Sequence, residues 1–240
     1  FEEPENLLKQ EVREPSLYNA IISAIATGAS KLSEISTKVG ENSSTCTAYL
    51  KNLISLGLVR RETPYGEKNS KKTIYTVEDN MFRFWYRFIP DNASLIVRGA
   101  SDLAYQRIRP QLSDYMGKIF EDICTQYLWQ LLLNGKSPVF FKELGRWWGT
   151  DPATHAQTEI DIMGEQDKNT ALFCECKWTN DLVDSGVLEL LVHRSQLFHY
   201  NSTHLFLFSK NGFTSGCTEM AEKLGNVTLV SYSDIYDNCL

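Results

Sequence analysis

Between Thr158 and Trp178 the chain reads TEIDIMGEQDKNTALFCECKW, two runs of strand-forming residues around a short polar gap at 164–170. Such a pattern predicts neighbouring strands joined by a hairpin-length connection. Side chains two apart on a strand share a face. Glu159 and Asp161 are thus predicted on one face, with Ile160 and Ile162 in the opposite layer. On the second strand Glu175 and Lys177 share a face, and Cys174 and Cys176 pack on the other. An ordinary core strand would carry aliphatic residues at all these positions, so the charges need a reason. If Asp161 and Glu175 converge, each raises the other's pKa unless a cation lies between them. Oxygen donors in that number suit Mg²⁺ or Mn²⁺. Such an ion can activate water and stabilise charge on a phosphodiester, with Lys177 orienting the nucleophile. A surface Glu–Lys pair on a solvated sheet face has the same spacing, and the spacing alone leaves both open.

The surrounding sequence has the periodicity of an α/β domain with a mixed sheet. QLSDYMGKIFEDICTQYLWQLLL, from residue 111, is a long amphipathic helix with Met116, Ile119, Phe120, Ile123, Tyr127 and Leu131 along one broad face. PVFFKELGRWWG is expected as a strand and turn, followed by the two charged strands. Residues 185–200 return to helix, THLFLFS to strand, CTEMAEKLG to helix and VTLVSYS to strand. Trp147 and Trp148, beside Arg146, are expected to cap the sheet edge, or else to stack on a base while Arg146 reaches a phosphate. His155 and His193 have no partner at metal-ligand spacing and read as incidental.

Ahead of this domain lies a basic segment. Net charge over the 240 residues is −6, but residues 1–16 carry −3, residues 17–90 carry +4 and residues 91–240 carry −7. LYNAIISAIAT is a helix with Leu17, Ile21, Ala24 and Ile25 inward, stopped by Gly28. KLSEISTKVG is a second, stopped by Gly40. Asn42, Ser43 and Ser44 are cap candidates for a third, running to Leu56. LVRRETPYGEKNSKKTIYTV is expected as two short strands around a Pro/Gly/Asn turn. Three helices and a hairpin in this order resemble a winged helix-turn-helix over 17–90. Its third helix would present Ser44, Thr45, Thr47, Lys51 and Asn52 to the major groove. Arg60, Arg61, Lys68, Lys71 and Lys72 on the hairpin would meet phosphates. Winged helices also serve as protein-docking modules, so a DNA partner and a protein partner both stay open. The aromatic run Phe82, Phe84, Trp85, Tyr86 and Phe88 is expected as core rather than as a base-stacking surface, and residues 91–110 as a connector.

Composition sets the outer bounds. Hydrophobic residues make up 42% of the chain and aromatics 12%, which excludes global disorder. No apolar run reaches the roughly 18–20 residues that span a bilayer, and no basic-then-apolar leader is present. A cytoplasmic protein without a membrane partner is therefore expected. The six cysteines show no CxxC pair, and read as small buried hydrophobes in a reducing compartment.

Asp161, followed after a hairpin-length gap by Glu175-Cys176-Lys177, resembles the PD-(D/E)XK motif of restriction-endonuclease-like nucleases. Ile160 stands at the position of the name-giving proline. The resemblance implies an acidic residue on the preceding helix, where Glu121 stands, and a Gln-x-x-x-Tyr on the following one, matched by Gln196 and Tyr200. It implies that Asp161, Glu175 and Glu121 hold Mg²⁺ or Mn²⁺, and that Lys177 positions or activates water. Gln196 and Tyr200 would orient the lysine or touch DNA. The longer order YLKNLISLGLVRRETP, KKTIYTVEDNMFRFWYRFI, GKIFEDI, GRWW and EIDI…ECKW is similar to the C-terminal region of archaeal and bacterial DEXX-box ATPases. That likeness implies a winged helix, then a nuclease-like domain over 111–240, with residues 1–16 as the tail of an ATPase module. Since GxxxxGK[ST] is absent from these residues, ATP would be bound only through that further module of the same full-length chain. The competing expectation is a non-catalytic arm that recognises DNA or protein and regulates the ATPase.

Overall fold

The computed structural model describes Pro4, residues 15–67 and residues 70–238. Of the expected tail 1–16 only Pro4, Pro15 and Ser16 are described, and Lys68 lies outside the described residues. The chain divides into two units: Phe1–Thr63 with Asn69–Pro110, and Pro64–Lys68 with Gln111–Leu240.

The described residues of the first unit include three successive helices, α1 (Pro15–Ala26), α2 (Leu32–Val39) and α3 (Ser43–Ser55). Gly40 stops α2 in the left-handed region (φ 79°), its N–H returning to the Ser36 carbonyl, a conformation that costs glycine little. Two residues on, Asn42 caps α3, its side chain accepting the Thr45 N–H at 2.8 Å. Strands β1 (Val59–Glu62) and β2 (Ile74–Val77) then pair antiparallel, Val59 opposite Val77 and Glu62 opposite Ile74. The core joins Ile21, Ile22 and Ile25 of α1 to Ile35, Leu50, Leu53, Val59 and Val77. Phe82 and Tyr86 of α4 (Asn80–Phe88) close it, so the aromatic run is core at these positions, while Phe84 is exposed. Residues 91–110, expected as a connector, carry two short helices, α5 (Ala93–Val97) and α6 (Ser101–Ile108), and belong to this unit.

The second unit is a mixed α/β layer structure. Helix α7 (Leu112–Leu133) is followed by β3 (Gly145–Thr150), β4 (Gln157–Glu165), β5 (Thr170–Lys177), α8 (Ser185–Ser195), β6 (Ser202–Ser209), α9 (Ser215–Leu224), β7 (Val227–Ser231) and α10 (Tyr232–Asn238). The five strands lie in the order β3-β4-β5-β6-β7. β3, β4 and β5 pair antiparallel, and β5, β6 and β7 parallel. The central strands are covered on both faces. Phe120, Cys124, Tyr127 and Leu128 of α7 pack with Ile162, Leu172, Cys174, Phe206 and Phe208 on one face. Leu188 and Leu191 of α8 and Cys217 and Ala221 of α9 pack with Ile160, Phe173, Leu205 and Leu207 on the other. This two-sided cover explains the unbroken apolar runs LFC and LFLF. Cys124, Cys174 and Cys217 are fully buried free thiols, as expected of small hydrophobes.

Four element boundaries differ from expectation. The strand expected from Pro138 begins at Gly145, and α8 ends at Ser195 rather than near residue 200. α10 follows β7 where only strand was expected. Residues 64–68, expected as the hairpin turn, count with the second unit, where the Tyr65 N–H donates to the Arg146 carbonyl at 2.8 Å.

Candidate functional site

The charged strands do not alternate as simple pleats. Across the β3–β4 ladder Gly145 faces Met163 while Trp147 faces Ile160, so β4 carries one residue more than β3 over this step. The extra residue is a β-bulge at Asp161–Ile162, and it re-aims the side chains on either side. As a result Ile160 joins the α8 face and Ile162 the α7 face, where plain alternation put both in one layer. On the other side, the β4–β5 pairing ends at Ile162 opposite Cys174. Beyond that point the Cys176 N–H is satisfied by the Asp161 carboxylate, Oδ2 accepting it at 2.8 Å. The bulge and the end of the ladder together turn Asp161 from a pleat residue into a ligand of its neighbour strand.

Glu175 is 3% exposed, and each of its carboxylate oxygens accepts from a cation. Lys177 Nζ donates to Oε1 at 2.6 Å and Arg194, from the last turn of α8, donates to Oε2 at 2.7 Å. A buried carboxylate needs such partners, because an unpaired charge at this depth is costly. Burial pulls the Lys177 ammonium down, but Glu175 and Asp161 outweigh it and hold the lysine above its ordinary range. Asp161 moves the other way. Burial, then the charges of Glu175 and Glu121, push its carboxyl from 3.8 to about 7 against the help of Cys176 and Lys177. Glu121, on α7, is likewise raised by burial, although Lys118 donates to it at 2.8 Å. At the margin Arg146 pairs with Glu159, and burial of Glu159 is overcome by Arg146 and Lys118, which bring it below its usual range. Arg146 is thus engaged within the protein rather than offered outward to a phosphate.

Asp161, Glu175 and Lys177 therefore form one cluster, with Glu121 close enough to Asp161 to raise it. Gln196 and Tyr200 do not join it. Gln196 stands one residue past the end of α8 and is exposed, and the Tyr200 hydroxyl donates to Glu165 at 2.7 Å. Glu165 pairs with Ala171, four residues and about 13 Å up β5 from Glu175. Both residues instead line a shallow cavity of about 530 Å³ with Phe198 and Asn226. The residue of α8 that reaches the cluster is Arg194, which no spacing rule picked out. A basic residue in the last turn of a helix, on the face that covers a charged strand, is the signal that points to it. His193, read as incidental, is bonded to Asp151 at 2.7 Å. This bond, with the Ala153 N–H, holds Asp151 down at about 2. Trp147 packs against Phe198 at 5.0 Å, edge to face, on the edge strand β3, as the capping expectation had it.

In the first unit, Ser44 and Lys51 of α3 are exposed, and Thr45 and Thr47 are half-buried. Thr47 returns its hydroxyl to the Ser43 carbonyl, and Asn52 donates to the Tyr18 hydroxyl at 2.7 Å. Arg60 is paired with Glu62 at 3.1 Å and Glu78 at 3.2 Å, whereas Arg61, Lys71 and Lys72 are exposed. Arg60 is thus drawn into ion pairs with Glu62 of its own strand and with Glu78 just beyond β2.

The donor chemistry of the cluster fits a divalent cation. Asp161, Glu121 and Glu175 are hard oxygen donors, and the repulsion that adds to burial in lifting Asp161 is what such an ion relieves. In arrangement Glu175 is already counter-charged, and among the described residues no three His, Cys, Asp or Glu side chains are grouped to hold a metal. Among the described residues no helix is long and apolar enough to cross a membrane.

Residues 85–189 match the model of a family described as archaeal and bacterial proteins of unknown function. An uncharacterized protein of Methanocaldococcus jannaschii is 38% identical over 186 residues, which are 77% of this chain and 40% of that protein. The chain thus spans about two fifths of the length of this relative. Among solved structures, protein VC1899 from Vibrio cholerae aligns over 92% of this chain and 48% of its own at 14% identity, with a TM-score of 0.40. NadR in complex with 4-hydroxyphenylacetate aligns over 49% of this chain and 82% of its own at 13% identity, with a TM-score of 0.29. Neither is close enough to carry an argument.

Proposed function

We propose that the second unit is a PD-(D/E)XK nuclease-like domain that hydrolyses phosphodiester bonds in DNA. The first unit is a winged helix-turn-helix that holds the duplex, and both belong to the C-terminal part of a longer ATPase. The observation that carries this is the single cluster in which Asp161 accepts the Cys176 N–H while Glu175 and Lys177 hold each other at 2.6 Å. A nuclease centre needs carboxylates with a cationic donor beside them, and this cluster supplies both.

Mg²⁺ or Mn²⁺ bound by Asp161, Glu121 and Glu175 would supply Lewis-acid neutralisation of the phosphodiester. The chain's own contribution lies in the other groups. The Lys177 side chain is one-third exposed, so its ammonium can donate to a phosphate oxygen or an attacking water while remaining beside Glu175. Asp161 Oδ2 is taken by the Cys176 N–H, which leaves Oδ1 free to face an ion, and a cation there would offset the charges of Glu175 and Glu121 that help to lift this carboxyl. Lys51 on α3, with Lys71 and Lys72 on the hairpin, is exposed and suited to phosphate contacts.

One observation favours a second function, a recognition arm that regulates the ATPase without cutting: Glu175 is closed off by two cations. A cleavage assay on labelled single-stranded, duplex and branched DNA separates the two. Cleavage in Mn²⁺ that is lost in EDTA, in Asp161→Ala and in Lys177→Ala, with both variants folded, supports the nuclease. Binding in a gel shift without cleavage by wild type supports the recognition arm.

A further inference from the structure

Glu175 is the most enclosed acid of the cluster, and its two oxygens are taken by Lys177 and Arg194 at 2.6 and 2.7 Å. A divalent ion arriving there would stand beside two fixed positive charges in a poorly hydrated site, where like-charge repulsion is strong. One of the two cations must withdraw for the ion to enter. Lys177 sits on the same strand face as Glu175, is 34% exposed, and has a flexible stem that keeps it near in any case. Arg194 is different. It comes from α8, its side chain is 14% exposed, and its buried Nε has no hydrogen-bond partner among the described residues. Its guanidinium therefore uses Glu175 as its anchor without being fully satisfied by the protein, and an arriving ion can take over the pairing of Glu175 as it leaves. The end of α8, where the helix dipole favours a cation, can keep it once it has swung away.

We propose that Arg194 is the resident counter-cation of Glu175, a positioning residue that sets metal affinity by exchanging its place on Oε2 for a divalent ion. The inference rests on the metal-dependent assignment of the cluster. Arg194 keeps Glu175 paired and aimed when no ion is bound, and the ion enters as the guanidinium leaves. Removing the competing charge tightens metal binding, roughly tenfold for each 1.4 kcal/mol of repulsion removed.

The test is Mn²⁺ titration of the 240-residue chain by calorimetry, comparing wild type with Arg194→Gln, Arg194→Lys and Asp161→Asn, each first shown to unfold cooperatively. The expected result is tighter Mn²⁺ binding in Arg194→Gln, with Arg194→Lys returned towards wild type because it restores the cation. A purely structural role for Arg194 would predict weaker binding in Arg194→Gln, and that outcome overturns the proposal. So does equal affinity in the two proteins. If Mn²⁺ binding is lost in Asp161→Asn yet unchanged in Arg194→Gln, the counter-cation role fails and the metal site stands. If Asp161→Asn leaves binding untouched in every background, the metal site fails and the counter-cation role falls with it.

Discussion

Replacing Asp161 with asparagine should stabilise the second unit, and more so as the pH rises. The Asp161 carboxyl is lifted from 3.8 to about 7 by burial and by the charges of Glu175 and Glu121. Between those values the unfolded chain is ionised while the folded one holds its proton. Unfolding then releases a proton, and stability falls as pH rises, the loss completing above about pH 7. The shift spans about three pH units at about 1.4 kcal/mol each, so ionised Asp161 costs the fold about 4 kcal/mol at most by pH 8. At pH 5 the same relation gives about 2 kcal/mol, and at pH 3.5 almost nothing. Asparagine keeps the shape and can still accept the Cys176 N–H through its carbonyl, but it cannot ionise. Urea unfolding in EDTA, followed by tryptophan fluorescence, reads this directly, since Trp129, Trp147, Trp148 and Trp178 all lie in the second unit. Asp161→Asn should exceed wild type by a margin that grows from pH 3.5 to pH 8. A variant no more stable than wild type at pH 8, or one with a pH-independent gain, would refute the claim that the cluster holds Asp161 against ionisation.

Phe120→Ala, at a fully buried α7 position that packs on Trp178, should cost about 3–5 kcal/mol in urea unfolding. In the first unit, Lys51→Ala and Lys71→Ala should each weaken DNA binding evenly across sequences. Each should also reduce the log–log salt slope by about 0.9, read by fluorescence anisotropy. Asp151 is held at about 2 chiefly by His193, so its contribution to stability is present above about pH 3.8 and lost as pH falls towards 2. The stability gap between wild type and Asp151→Asn, read by urea unfolding, should therefore shrink as pH falls from 5 to 2.5.

The helices and the sheet were legible because their apolar periodicity is strong. The face of α7 could be followed from Phe120 to Tyr127, and β5 and β6 lie where TALFCECKW and THLFLFS were expected as strands. Asp161, Glu175 and Lys177 were legible as a set because strand alternation puts charges where aliphatics belong. The bulge at Asp161 was not. A one-residue register shift leaves no mark on composition, and it moved Ile160 and Ile162 to opposite faces. Gln196 and Tyr200 misled because a spacing of four makes a shared face only on a helix, and α8 ends at Ser195, one residue before the first of them. Arg194 escaped for the converse reason. Its partner, Glu175, is nineteen residues away and on a different element, a pairing fixed by how α8 lies over the sheet.

The measurement closest to the central claim is anomalous diffraction from crystals of the chain soaked in Mn²⁺. A metal-dependent nuclease centre predicts one strong peak against Asp161 and Glu175, with Arg194 no longer paired to Glu175. Glu175 still held by Lys177 and Arg194 at saturating Mn²⁺, with no peak at the cluster, would contradict it.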